Sequence, residues 1–357
     1  MKKIIALLLA VVLVFALVAC AKTAAPAEEK GDGKYKVALS NSFIGNDWRQ
    51  EMQAAAALAV KDPYYADRVT LDIIDCDNTP EAQTASIDAI VEKGYDILVI
   101  DCASSTGVDN ALKRAEQAGL TVVEFDSVSD SDDFYKIEND WVYVSEICAK
   151  YIAEMCGGKG NYVMDRGLNG NAIAQNLYQP CVDYLTANTD MQLVAEFEGQ
   201  FAEGPAEQGI TAAMTANPQI DAVFSQGYIA CIARAFRNAG KAIPVITGNG
   251  MNGTGIDVVE NGDYNCLQWN CNLAGIGVVA MEMAINIREG KYTGDKHVIN
   301  RDVSWNATNP DIGSKIGITC QAFEDGKTYF SDKPAGLQWP VFEPDFPVQI
   351  NIDDLTW

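Results

Sequence analysis

Apolar, β-branched runs alternate with amphipathic stretches through most of the chain. Residues 36–40 read as a strand, and residues 47–60 as a helix opened by a capping box of Asp47 and Gln50. Strands are predicted at 69–75, 97–101 and 121–126, with helices between them at 80–92 and 107–118. Parallel strands need a crossover, and an amphipathic helix supplies one. A β-α-β-α-β-α-β run with short connections therefore predicts a doubly wound parallel sheet. The rhythm then restarts, with strands at 161–164, 192–197, 222–225 and 245–247 and helices at 172–185, 205–216, 229–239 and 253–260. Asn-Gly pairs led by Asn169, Asn249, Asn252 and Asn261 mark turns. Two α/β units of similar size predict two similar lobes, since the period is far too long for a solenoid.

The first 20 residues break this pattern. Lys2 and Lys3 precede an uncharged apolar stretch from 4 to 18, which is short for a membrane span and suited to a signal peptide. It ends in Leu17-Val18-Ala19-Cys20, which resembles the lipobox of bacterial lipoproteins and makes Cys20 the expected site of lipid attachment. Residues 21–34 mix Pro, Gly, Glu and Lys without an apolar period and read as a flexible linker.

Composition narrows the chemistry. A net charge of −23, from 26 basic and 49 acidic residues, argues against nucleic acid as a partner. The ten cysteines form no C-x-x-C pair, and most sit in apolar contexts suited to buried free thiols, so few disulfides and no zinc site are expected. The acidic run 130–133 lacks the spacing of a calcium loop and reads as a solvated turn. His297 is the single histidine, and no G-x-S-x-G, H-E-x-x-H or P-loop occurs. No catalytic residue, metal or cofactor is expected.

In parallel α/β sheets a ligand binds beyond the carboxyl ends of the strands. Those ends offer Asn46, Asp47, Trp48 and Arg49, then Asp75, Asp101 and Asp126-Ser127, and in the second unit Asp165, the stretch 169–175 with Gln175, Phe201, Gln226-Gly227, Asn249 and Trp269. Such groups suit a polyhydroxylated ligand. Planar polar side chains pair with neighbouring hydroxyls, and indole faces cover C–H faces. Asp126 and Asn249 serve equally well as helix caps on this reading.

These residues, in order, resemble those of the type I periplasmic binding proteins, in the cluster that binds ribose, galactose and related sugars for ABC importers. The resemblance rests on the lipoprotein start, the opening KVALSNSFIGNDWRQEM and the strand ends EFDS, AVFSQG and PVITGNG. It implies two Rossmann-like lobes joined by a three-segment hinge, with crossovers near 137–140, 270–273 and 300–303. The first lobe would hold 35–138 and 272–300, and the second 139–271 with 301–357, and the tail from 301 to 357, rich in Pro, Asp and aromatics, reads as an extended segment packed across the lobes. It also implies ligand contacts at Asn46, Trp48, Arg49, Asp126, Gln175, Phe201, Asn249 and Trp269. Gly227 stands where a polar residue is usual, and Ser127 replaces a frequent arginine. The Trp48-Arg49 pair is similar to galactofuranose-type members.

The implied protein is an extracytoplasmic monomer, lipid-anchored to the outer face of the cell membrane. It would deliver a monosaccharide or polyol to an ABC importer permease. A sensory binding protein for a sugar-like or nucleoside ligand remains open on sequence. Arg49 suits an anionic or strongly hydroxylated ligand. Because the contacts end strands, replacing them is expected to leave folding little changed.

Overall fold

The computed structural model describes residues 33–357. The leader, Cys20 and most of the linker lie outside the described residues.

The first sheet has the order β11-β5-β4-β3-β1-β2, built from β1 (Tyr35–Asn41), β2 (Val69–Asp75), β3 (Ile97–Asp101), β4 (Thr121–Phe125), β5 (Tyr135–Asn139) and β11 (His297–Asn300). Every pairing in it is parallel. Strand alternation sends Val37, Leu39, Val99, Val123 and Phe125 to one face and Ala38, Leu98, Ile100 and Val122 to the other. Helices α1 (Asp47–Ala59) and α10 (Ile276–Arg288) cover the first face, and α3 (Pro80–Glu92) and α4 (Asp109–Gln117) cover the second. Burial on both faces is why these strands read as continuous apolar runs. Each such Leu, Ile or Phe taken wholly from water contributes about 2 kcal/mol.

The second sheet has the order β13-β12-β10-β9-β8-β6-β7. Its strands are β6 (Lys159–Asp165), β7 (Asp190–Phe197), β8 (Ala222–Phe224), β9 (Val245–Asn249), β10 (Cys266–Asn270), β12 (Ser304–Ala307) and β13 (Cys320–Gln321). The β10–β12 pairing alone is antiparallel. One face packs on α5 (Trp141–Met155) and α6 (Ala172–Asn188), the other on α7 (Glu203–Ala216) and α8 (Ile229–Asn238). Helix α9 (Asn252–Asn261) follows β9 directly. The short helices α2 (Pro63–Ala66) and α11 (Gly313–Ile316) complete the set described.

The chain crosses between lobes after β5, after β10 and after β11, which gives the three-segment hinge. The tail packs across the lobes, as its composition leads one to expect, and departs only from a division that gives it to the second lobe. Residues 304–321 complete the second sheet, but Leu337, Val341, Phe342, Val348 and Leu355 are buried in the core of the first lobe. Their apolar side chains cap the α1/α10 layer, so the tail is shared between lobes and does not belong to the second alone. The helix start also differs. Asn46, one residue before the expected Asp47, caps α1, its Oδ1 accepting the Arg49 N–H at 2.9 Å.

The nine cysteines among the described residues are free thiols, six of them buried. Burial pushes the thiols of Cys102, Cys148, Cys181, Cys231, Cys266 and Cys271 up, leaving them protonated and unreactive. His297 lies on the exposed edge strand β11, its Nε2 2.7 Å from Glu138 Oε1. Among the described residues, no helix is long and apolar enough to cross a membrane.

Candidate functional site

The carboxyl ends of both sheets face one narrow cleft, the place where parallel α/β sheets take ligands. From the first lobe it is lined by Phe43, Asn46, Trp48, Arg49, Asn78 and Asp126. Trp141, Phe201, Gln226, Asn249, Met251 and Trp269 are among its second-lobe residues. The lobes touch directly at its rim. Tyr228 Oη donates to Asp47 Oδ2 at 3.2 Å, and Asn171 Nδ2 donates to Ser127 Oγ at 3.4 Å. The arrangement is closed.

Arg49 leads the polar floor. Its Nη1 donates to Asn41 Oδ1 at 2.6 Å and Ser42 Oγ at 3.2 Å, and it is ion-paired with Asp101. Asp101 is wholly buried at the end of β3. Burial drives its carboxyl well above the usual range, and Arg49 acts against that. Asp126 sits beside this pair. Burial raises it to about 6, with Arg49 pulling it down and Glu138 adding to the rise. One cation thus faces two buried carboxyls, so the floor carries no excess positive charge. That removes the case for an anionic ligand that Arg49 suggests when read alone.

The loop after β4 is held by a second buried pair. Lys136 Nζ lies 3.7 Å from Glu124 Oε2, and Glu124 accepts both the backbone N–H and the hydroxyl of Ser129. This fixes Asp126 in a left-handed conformation with φ 58°. Asn78, Gln200 and Phe201 are the other non-glycine residues with positive φ among those described, and all four line the cleft. Backbone strain of this kind survives where surrounding contacts over-determine it, and it clusters at functional sites.

In the second lobe Asp165 ties three strand ends together. Its Oδ1 accepts the N–H groups of Gly167 and Gly199, both at 2.8 Å, and its Oδ2 that of Gln226 at 3.1 Å. Burial raises Asp165 to about 6, and these backbone donors hold it lower than burial alone would. A Cβ at Gly199 would overlap Asp165 Oδ2, so only glycine permits the contact. Asp165 is therefore a scaffold for Gln200, Phe201 and Gln226.

The structure brings seven of the eight candidate contacts to the cleft: Asn46, Trp48, Arg49, Asp126, Phe201, Asn249 and Trp269. Gln175 is not among them. It is exposed in an outer groove with Arg166, Asn169 and Tyr178. The cleft is served from α6 by Ile173 and Leu177, one turn apart. Two residues on from Ile173 the helix has turned about 200°, which points Gln175 away. Trp48 and Trp269 are more deeply set than open stacking platforms. Trp48 belongs to the first core and donates its Nε1 to Asn272 O at 2.8 Å, and Trp269 packs on Phe224 at 6.0 Å between centroids. Trp141 and Gln226 are further lining residues. Trp141 begins α5 in a stretch that carries no strand-end signal, and only the crossover geometry delivers it.

Four buried polar atoms of the lining have no hydrogen-bond partner: Asp126 Oδ1, Gln226 Oε1, Trp141 Nε1 and Trp269 Nε1. Buried polar atoms are normally satisfied, so four unpartnered ones on the lining residues of one cleft set that lining apart as a candidate ligand site.

Comparison with known proteins agrees with the fold. Residues 37–292 match the model of the periplasmic binding protein domain. The ribose import binding protein of Salmonella typhimurium is 25% identical over 241 residues, covering 63% of this chain and 81% of that protein. The crystal structure of a galactofuranose binding protein superposes with a TM-score of 0.70 at 16% identity, covering 79% of this chain and 97% of the other. That of an ABC transporter solute binding protein from Thermobispora bispora gives 0.66 at 28% identity, covering 74% and 83%. Two α/β lobes, three crossovers and a family match over most of its length make this chain a member of the periplasmic binding protein family.

Proposed function

We propose that this protein captures a neutral monosaccharide or related polyol between its lobes and hands it to an ABC importer permease from a lipid anchor outside the cell membrane. The carrying observation is the set of four unpartnered buried atoms, Asp126 Oδ1, Gln226 Oε1, Trp141 Nε1 and Trp269 Nε1, on the wall of one cleft. Vicinal hydroxyls both donate and accept, and answer such a mixed set. The balanced charge of Arg49, Asp101 and Asp126 favours a neutral ligand. The open space beside Gly227, where a Cβ would meet nothing within 4 Å, leaves room for a ring substituent. The names of the ribose- and galactofuranose-binding relatives support the same class. The role is binding without turnover, so the ligand should be recovered intact.

A thermal-shift screen of pentoses, hexoses, polyols, nucleosides and sugar acids tests this. Ligand at a thousandfold excess over Kd should add about 4 kcal/mol of stability, and the active compound should be a neutral sugar or polyol. Small-angle scattering should show a smaller radius of gyration with that compound than without it. A response confined to sugar acids or nucleosides, or time-dependent breakdown of the bound sugar, would sink the reading. The anchor rests on the sequence ending at Cys20. Cys20→Ser should abolish incorporation of labelled palmitate and release the protein from membranes, and labelling as in the parent would refute lipidation there.

A further inference from the structure

The tail beyond the family match makes contacts that a passive extension would not need. Leaving the second sheet, it is seized by Asn252 at the start of α9. Asn252 Nδ2 donates to the carbonyls of Phe330, Lys333 and Pro334 at 2.9–3.1 Å, and its Oδ1 accepts the Phe330 N–H at 2.6 Å. The Asn252 and Gly253 N–H groups donate to Leu337 O and Ala335 O, both at 2.8 Å. All of this binds the tail to the second lobe. From Leu337 onward the same segment is buried in the core of the first.

Gln338 stands at the change of lobe and is 5% exposed. Its backbone N–H donates to Glu51 Oε2 at 2.9 Å, on α1, two residues after Arg49. Its side-chain Oε1 accepts from Asn249 Nδ2 at 3.4 Å, at the end of β9. Asn249 Oδ1 in turn accepts the Gly250 N–H at 2.8 Å. One residue of the tail thus touches the helix that carries Arg49 and a side chain that lines the cleft. Gly336 beside it approaches Asp47 so closely that a Cβ would overlap Oδ2, the oxygen that also receives the Tyr228 hydroxyl from across the cleft.

We propose that residues 322–357 form a fourth link between the lobes, with Gln338 as a positioning residue that fixes Asn249 and ties it to Glu51 in the closed state. This rests on the cleft being the ligand site but does not depend on the ligand's identity. The link is absent from the hinge of three crossovers, and it adds contacts on both lobes that exist together only when they are approached. It therefore favours closure and slows release of what is enclosed.

Gln338→Met keeps the shape and the backbone N–H but removes the side-chain acceptor. In the ligand-free variant, hydrogen exchange at Gly250 should quicken at least tenfold while the melting temperature stays near the parent's. Titration with D-ribose and D-galactose should show dissociation at least fivefold faster at unchanged association for whichever sugar binds. A second test frees the strap from the second lobe alone. Asn252→Ala removes the four side-chain bonds to residues 330–334 and should leave residues 337–355 in the core of the first lobe. The radius of gyration of the ligand-free protein should increase. Parental exchange at Gly250 in the Met variant together with parental scattering of the Asn252→Ala protein would overturn the proposal. If neither sugar binds the parent, the sugar reading fails, while exchange and scattering still decide on the strap.

Discussion

Asp126→Asn should make the ligand-free protein more stable near neutral pH and weaken ligand binding by about thirtyfold or more. The carboxyl is 3% exposed at the end of β4, with Oδ1 unpartnered. Burial, partly offset by Arg49, raises it from 3.8 to about 6. The folded state therefore holds this proton more tightly than the unfolded one. Its contribution to stability is fully present below about pH 4 and is lost as pH rises through about 6. Above that, the ionised group costs on the order of 3 kcal/mol, since each tenfold difference in proton affinity between the two states is worth about 1.4 kcal/mol. Asparagine is neutral, tolerates positive φ and escapes that cost. What it loses is the negative charge turned on the ligand, and truncating a buried charged contact costs roughly 2–5 kcal/mol of binding. Melting temperatures at pH 4.5 and 7.5, with calorimetric titration of the cognate sugar, check both halves. The gain in stability should appear at pH 7.5 and shrink at pH 4.5. A variant that melts lower than the parent at pH 7.5 and binds as tightly would make Asp126 a structural residue of the loop after β4 and not a ligand contact.

The fold was legible because its signal is local. Strands β2 and β3 and helix α3 fall on the bounds that periodicity predicts. Their apolar runs are bounded by Pro80, Thr79 and acidic strand ends; β3 is buried on both faces, and the edge strand β2 alternates half-buried apolar with exposed polar residues. The site was legible to the extent that it sits on strand ends: Asn46, Trp48, Arg49 and Asp126 need only the first α/β unit to be placed. What escaped depends on long-range closure. Trp141 reaches the cleft through the first crossover, and Gln175 misses it through the phase of α6. The tail carries no period that tells one core from the other. Its composition reads as a segment packed across the lobes, which holds, but chain order gives its apolar residues to the second lobe and they fill the core of the first. The thermodynamic role of Arg49 was equally hidden. An arginine in the first turn of a helix looks replaceable until its partner Asp101 is seen to be wholly buried.

That pairing makes Arg49→Ala the substitution with the largest expected cost to folding. Arg49 is 7% exposed and Asp101 0%, and the guanidinium also bonds Asn41 and Ser42. Removing one partner of a buried ion pair leaves the other charge uncompensated and typically costs roughly 3–5 kcal/mol. Against a total domain stability of about 5–15 kcal/mol this is a fifth or more, which runs against the expectation that replacing the contact leaves folding little changed. The loss should be greatest above neutral pH, where the unfolded chain holds Asp101 ionised and the folded one must bury that charge without its counter-ion or keep the proton. Ligand affinity should fall at least a hundredfold, but that alone cannot separate a missing contact from a collapsed site. The double variant Arg49→Met with Asp101→Leu separates them. Replacing both charges by apolar side chains of similar bulk is often neutral or stabilising, so urea unfolding should return to within about 1 kcal/mol of the parent. Binding should not return, because the guanidinium and the field it sets at Asp126 are both gone. A double variant that folds well and binds like the parent would reduce Arg49 to a structural cation. A single Arg49→Ala variant as stable as the parent would mean that the pair with Asp101 is not what holds the floor of the cleft together.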